Sequence, residues 1–272
     1  YNSGGGIGDA IQMLPLLNTL MSELKNTKFY YLSAHKNHFN STLKELNNEI
    51  ETLDLKIKYF GFRWWHTLVV KKELKRQNIE SFDLVIDLQS KIRNSLILKI
   101  IPHKYFISTC LNFKLSTPNL NIKKENKIDK TILKAVNTLL KKNYLFSEYN
   151  INKIHEKFHS ESEKLLPEKN YVGLSITQGN VYRKKEWPLE NVIKISKKLL
   201  EHNKTPVFFI DKKNMQLKNK ISGLIPNALF PEHASELGCP ALVACLGKRL
   251  DFAISIDNGV MHMLSLSKVP MI

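Results

Sequence analysis

Two stretches combine residue types and spacings that can do chemistry. In the first, Asp257-Asn258-Gly259 joins a short apolar run, Phe252–Ile256, to Val260–Leu266. The run reads as a buried parallel strand and the following segment as a packed helix. A strand that feeds a helix through a tight Asx-Gly turn leaves backbone N–H groups at the strand's carboxyl end. In open α/β sheets ligands bind there, and a helix N-terminus favours anions, phosphates above all. Gly259 would let a phosphate approach the backbone closely. The same residues also suit an ordinary βα turn, with Asp257 as the helix cap and His262 in the core. The second stretch is Ser3-Gly4-Gly5-Gly6-Ile7-Gly8-Asp9. A dinucleotide fingerprint GxGxxG begun at Gly4 and Gly6 needs a third glycine where Asp9 stands. An acid there would repel a pyrophosphate, so nicotinamide binding is not expected. A carboxylate at a helix N-terminus is stabilised as the anion and held rigidly, which suits a general base and equally a plain helix cap.

The elements that must position these residues alternate along the chain. Strands are expected at Lys28–Ser33, Ile57–Phe60, Phe82–Gln89, Tyr171–Ile176, Pro206–Ile210, Ala228–Phe230 and Phe252–Ile256. Helices are expected after Asp9, at Thr42–Glu49, Lys71–Asn78, from Ser90, and over Ile132–Leu140, Ile151–Leu166, Leu189–Leu200, Met215–Leu224 and Leu242–Leu250. Such alternation is the pace of parallel βαβ units, so the fold class is α/β. The division into residues 1–166 and 167–272 gives each half enough chain for its own core. Thr177 leaves the Tyr171 strand in turn chemistry. Phe62-Arg63-Trp64-Trp65-His66 sets a cation among large aromatics in a loop, read first as packing and otherwise as cover for a ligand or a seam. The chain opens on Tyr1 and stops at Pro270-Met271-Ile272, which reads as the start of a further strand; a fragment lacking both termini is expected.

Composition excludes several classes. The 43% hydrophobic and 24% charged content is that of a globular protein. No apolar run reaches the ~18 residues of a membrane span. Three scattered cysteines, Cys110, Cys239 and Cys245, argue against a disulfide framework or a zinc site and fit a reducing cytoplasm. There is no DxD pair to hold a catalytic metal on a diphosphate. The net charge of +16 suggests an anionic partner. It is diffuse and lacks the signatures of nucleic-acid binding, so a lipid surface or phosphorylated glycolipid is the expected partner, not nucleic acid.

Four motifs, in order, carry a family resemblance: Gly6-Ile7-Gly8-Asp9 with Leu14-Pro15, Asp83-Leu84-Val85-Ile86-Asp87-Leu88-Gln89, Lys185-x-Trp187-Pro188, and Asp257-x-Gly259-x-x-His262. Together they resemble the signatures of glycosyltransferase family 9, the ADP-heptose:lipopolysaccharide heptosyltransferases. The resemblance implies the GT-B fold, two Rossmann-like doubly wound domains facing across a cleft, with the acceptor on the first and a nucleotide-sugar donor on the second. Asp9 matches the family's catalytic base, and Lys185 matches the lysine that meets the donor phosphates in place of a metal. Asp257, Asn258, Gly259, Val260, Met261 and His262 match the donor turn, with Thr177 as a further donor residue. Gly8, Arg63 and Arg93 are taken as acceptor contacts.

The function so implied is inverting, metal-independent transfer of a heptose-like sugar, with ADP-heptose as the leading donor and no cofactor. The acceptor would be an anionic, lipopolysaccharide-type glycolipid, and the enzyme cytoplasmic or peripheral at the inner face of the membrane. Two departures bear on the donor. Asn258 stands where the family usually has Ser or Thr, and Asp211-Lys212-Lys213-Asn214 replaces a glycine-rich stretch with a Glu near the nucleoside. The alternatives are a nucleotide-sugar epimerase on the same fold and a non-catalytic nucleotide- or sugar-binding module.

Overall fold

The computed structural model describes residues 1–177 and 186–272. They form two compact units, one of Tyr1–Ser41 with Asn48–Tyr149, the other of Thr42–Asn47 with Asn150–Ile272.

In the first unit the order is α1 (Ile7–Ile11), α2 (Leu14–Glu23), β1 (Tyr30–Leu32), β2 (Glu51–Leu53), α3 (His66–Arg76), β3 (Phe82–Asp87), α4 (Ile92–Leu98), β4 (His103–Ser108) and α5 (Ile128–Leu140). β1 pairs with β2 and β3 with β4, both in parallel. Tyr1 and Asn2 join the two ladders. Asn2 N donates to Leu32 O and Ala34 N to Asn2 O, while Tyr1 N donates to Ile86 O and Leu88 N to Tyr1 O. The spatial order is therefore β2, β1, the Tyr1–Asn2 segment, β3, β4. Successive strands run outward from that central segment on both sides, so the loop that leaves it, Ser3–Gly6, emerges at a topological switch point. Phe60, Val70, Leu74, Ile97, Leu98 and Phe106 fill the core beside this sheet.

Three sequence expectations fail in this half of the chain. Thr42–Glu49 is not a helix but a run of turns in which Leu46 N and Asn47 N both donate to Leu43 O. The Asn47-Asn48 pair competes for backbone hydrogen bonds and stops propagation, while Leu43 and Leu46 bury themselves. Ile57–Phe60 is a turn, because Lys56 and Tyr59 adopt φ of 55° and 54° and the Asp54 carboxylate accepts from Lys56 N at 2.8 Å; the strand is Glu51–Leu53. The packing-loop reading of the tryptophan pair also fails, since Trp64 and Trp65 are each 59% exposed.

The second unit contains α6 (Glu156–Leu165), β5 (Tyr171–Ser175), α7 (Leu189–Glu201), β6 (Thr205–Phe208), α8 (Met215–Leu224), α9 (Pro231–Ala234), α10 (Pro240–Gly247), β7 (Leu250–Ser255) and α11 (Gly259–Ser265). The expected helix Ile151–Leu166 is split into a 3₁₀ turn, Ile151–Lys153, and α6. The stretch 150–166, placed before the boundary in the sequence reading, lies in this unit, where α6 packs on α10. β5 is central, with β6 on one side and β7 on the other, all parallel. Leu229 extends the sheet beyond β6 and Met271 beyond β7, again in parallel. Every residue of β5 is buried, as a strand covered on both faces must be. At Gly173 a Cβ would lie 2.7 Å from Leu250 Cδ1, so a side chain there would have to displace Leu250. The switch point of this sheet falls across β5, between the loops that follow β5 and β7.

Candidate active site

At the first switch point the glycine loop is shaped by two side chains. Asp9, half-buried at the third position of α1, accepts from Gly6 N through Oδ2 at 3.2 Å. A Cβ on Gly4 would stand 2.6 Å from Asp9 Cγ, so glycine is required for the carboxylate to lie where it does. Gly8 is buried beneath it. The second side chain is Asn2, itself buried. Its Oδ1 accepts from Gly4 N at 2.8 Å and Gln89 Nε2 at 3.2 Å, and its Nδ2 donates to Asp9 O at 3.2 Å and Tyr31 Oη at 2.8 Å. One amide thus ties the start of the loop, its end, β1 and the exit of β3 together. Sequence reading missed Asn2, because two of its partners, Tyr31 and Gln89, are remote in the chain.

Below the loop, Asp87 ends β3 in full burial. Burial pushes its carboxyl pKa up, opposed by hydrogen bonds from Ser95 Oγ, Gln89 N and Ser108 Oγ. It braces the floor under Gln89, and no part of it reaches solvent.

Beside the loop lies a cavity of about 790 Å³ whose lining includes Gly5, Ser33, His35, Asn37, Lys58 and Tyr59. The His35 ring meets Tyr59 and Phe62 edge-on, at 5.0 and 5.6 Å between centroids. A Cβ on Gly5 would touch His35 Cδ2 at 2.9 Å, which brings the glycine loop against this aromatic wall. Arg93 and Lys91 both lie over Phe62, at 5.3 and 5.7 Å from its centroid, and Arg63 lies over Trp65 at 5.6 Å. Of the two expected acceptor arginines, Arg93 is therefore joined through Phe62 to the cavity wall, while Arg63 belongs to the exposed tryptophan pair.

At the second switch point the organising residue is Asn258. Its Oδ1 accepts from Met261 N at 2.9 Å, which makes it, and not Asp257, the cap of α11. Its Nδ2 donates to Ser175 Oγ and to Thr177 O, both at 2.7 Å. Both amide protons are thus used within the protein. The amide is a clamp that fixes the β5 exit against the β7 exit, with Thr177 beside it. Asp257 is exposed, and Gly259, Val260, Met261 and His262 are half-buried on the first turns of α11. Helix geometry leaves the first-turn N–H groups without intrahelical acceptors, a natural anion seat. Lys185 lies outside the described residues.

Glu232, near the carboxyl end of β6, also escaped sequence reading. Burial first, then the neighbouring Asp211, pushes its pKa up to about 7 against the pull of Lys212. Among the described residues no group of three or more His, Cys, Asp or Glu side chains converges as a metal-ligand set would.

The architecture has known relatives. The crystal structure of a glycosyl transferase family 9 protein from Veillonella parvula DSM 2008 superposes with a TM-score of 0.65 at 16% identity, covering 100% of this chain and 78% of that one. The E. coli heptosyltransferase WaaC with ADP gives 0.66 at 15% identity, over 99% of this chain and 84% of that one. UDP-GlcNAc 2-epimerase from Methanocaldococcus jannaschii gives 0.52 at 15% identity, over 96% and 79%. No curated sequence matches the chain. At these identities the likeness establishes the fold, which is GT-B. The sequence profile of glycosyltransferase family 9 (heptosyltransferase) matches residues 68–272, and the chain belongs to that family. It is a glycosyltransferase, and the epimerase likeness extends to the fold alone. The matched stretch includes the β5 and β7 exits and Arg93; the Asp9 loop and Arg63 precede it.

Proposed function

We propose that the protein transfers a heptose-like sugar from a nucleoside-diphosphate sugar, ADP-heptose in the first instance, to a lipopolysaccharide-type glycolipid. The reaction is inverting and metal-independent and takes place at the cytoplasmic face of the membrane. The observation that carries this reading is the membership of residues 68–272 in a heptosyltransferase family. The loop geometry supports it. The two candidate groups stand at the switch points of their sheets, where α/β folds bind ligands.

In this reading the Asp9 carboxylate takes the proton of an acceptor hydroxyl while that oxygen attacks the anomeric carbon. The bond from that carbon to the diphosphate oxygen breaks, the nucleoside diphosphate leaves with the electron pair, and the configuration inverts. Positioned base catalysis contributes about 10²–10⁴-fold. The first turn of α11 and Lys185 hold the departing diphosphate. A charge-assisted contact from Lys185 would contribute about 1.5–3 kcal/mol. Arg93 faces the acceptor, which the cavity beside Gly5 receives, while Gly8, being buried, acts only through the turn that holds Asp9. Arg63 contacts its anionic groups. The donor is the sole small-molecule requirement and no cofactor takes part.

Incubation with ADP-heptose should release ADP only when an acceptor is present. Asp9→Asn should lower turnover by at least about 10²-fold while donor affinity stays within a factor of two or so. Equal loss of turnover and donor affinity would remove Asp9 as the base. Lys185→Ala should weaken ADP binding, and unchanged affinity would take Lys185 out of the donor site.

A further inference from the structure

The first unit carries a surface that the transfer chemistry does not require. Trp64 and Trp65 are each 59% exposed, and Leu68 and Val69, on the first turn of α3, are 80% and 38% exposed. The helical period decides this. His66, Val70 and Leu74 face the core, so Leu68 and Val69 must face outward. Single exposed apolar residues are ordinary, but adjoining tryptophans, a leucine and a valine form a patch. Tyr59, 52% exposed and five residues before Trp64, lines the cavity beside Gly5.

Cations surround the patch. Lys58, Arg63, Lys71, Lys72 and Lys75 are all exposed. The acid on the same helix, Glu73, is paired with Arg76 at 3.1 Å. Indole rings beside lysines are the side-chain set that settles at a bilayer interface, rings at headgroup depth and ammonium groups among anionic lipids. A protein partner of ordinary composition would present no comparable density of negative charge to this rim.

We infer that Trp64, Trp65, Leu68 and the surrounding lysines dock the first unit on an anionic bilayer. The three apolar side chains enter the headgroup layer and the cavity edge at Tyr59 faces the lipid. That this brings an acceptor to the site rests on the proposed function; the docking itself does not, and it is measured without donor or acceptor.

The test uses the whole chain with vesicles of phosphatidylcholine alone and of phosphatidylcholine mixed with phosphatidylglycerol. The chain should sediment with the anionic vesicles and not with the neutral ones. Trp64→Ser with Trp65→Ser should lower partitioning by at least about tenfold, from loss of the buried ring area. Lys71→Gln and Lys72→Gln should each lower it about fivefold, and high salt should erase their effect. Brominated acyl chains should quench tryptophan fluorescence in the parent chain. Thermal unfolding checks that the variants are folded; if the tryptophan variant is not, quenching in the parent decides the matter. Partitioning unchanged by the tryptophan substitutions, or binding without quenching, would overturn the inference in favour of a merely basic surface. Concentration-dependent self-association without vesicles, relieved by the same substitutions, would overturn it in favour of a second copy of the chain. If vesicle binding holds but no acceptor supports ADP release, the docking stands and the proposed reaction falls.

Discussion

Replacing Asn258 by alanine tests the clamp at the second switch point. The substitution removes the cap on Met261 N and both bonds from Nδ2, to Ser175 Oγ and Thr177 O. Loss of a helix cap costs about 1 kcal/mol, and each of the other two bonds about 1 kcal/mol net. Local stability should therefore fall by about 3 kcal/mol. Asn258→Ser separates the parts. A serine hydroxyl can still cap α11, but it is too short to span to Thr177, so the cost should be about 2 kcal/mol. Amide hydrogen exchange over residues 171–177 and 256–262 reads this locally, without requiring the two units to unfold as one. In alanine, protection at both segments should fall together by about 10²-fold, the equivalent of 3 kcal/mol. ADP affinity should drop in parallel, because the loop at Thr177 is no longer held. Protection lost at 256–262 alone, with 171–177 unchanged, would refute the clamp and leave Asn258 as a cap only. Serine as stable as the parent would refute it equally, since the cap would then account for the whole loss.

Two further substitutions probe the structure elsewhere. Gly4→Ala pushes a methyl group into Asp9 Cγ, and a displacement of the carboxylate by about 1 Å should cost about 10²-fold in kcat with donor affinity retained; steady-state kinetics checks this. Glu232 makes stability depend on pH. Its folded pKa, about 7, lies above the usual 4.5, so the native state binds more protons and stability should decline as pH rises from 4.5 through 7, then level off. Glu232→Gln should flatten that decline and be more stable than the parent at pH 8 by up to about 3 kcal/mol. Urea unfolding at several pH values measures it, and an unchanged slope would mean that Glu232 is ionised throughout.

Much of this protein can be read in its sequence because the information is local. Phe82–Asp87, Tyr171–Ser175 and Leu250–Ser255 are apolar runs of strand length bounded by turn residues, and α8 spans Met215–Leu224 as its periodicity and flanking Asn214 require. β4 escaped because His103 and Lys104 break its apolar run just after Pro102. The motif residues Asp9 and Asp257–His262 were legible because a turn between strand and helix is itself a local chemical pattern.

Tertiary structure alone decided how those residues are held. Asn2 reaches Gln89 across 87 positions and Asn258 reaches Ser175 across 83. No periodicity encodes such contacts, since they exist only once parallel strands bring distant exits side by side. The same holds for the exposure of Trp64 and Trp65. Their apolar character is written in the sequence, but whether a tryptophan ends in a core or on a surface depends on which neighbours the fold has already placed beneath it.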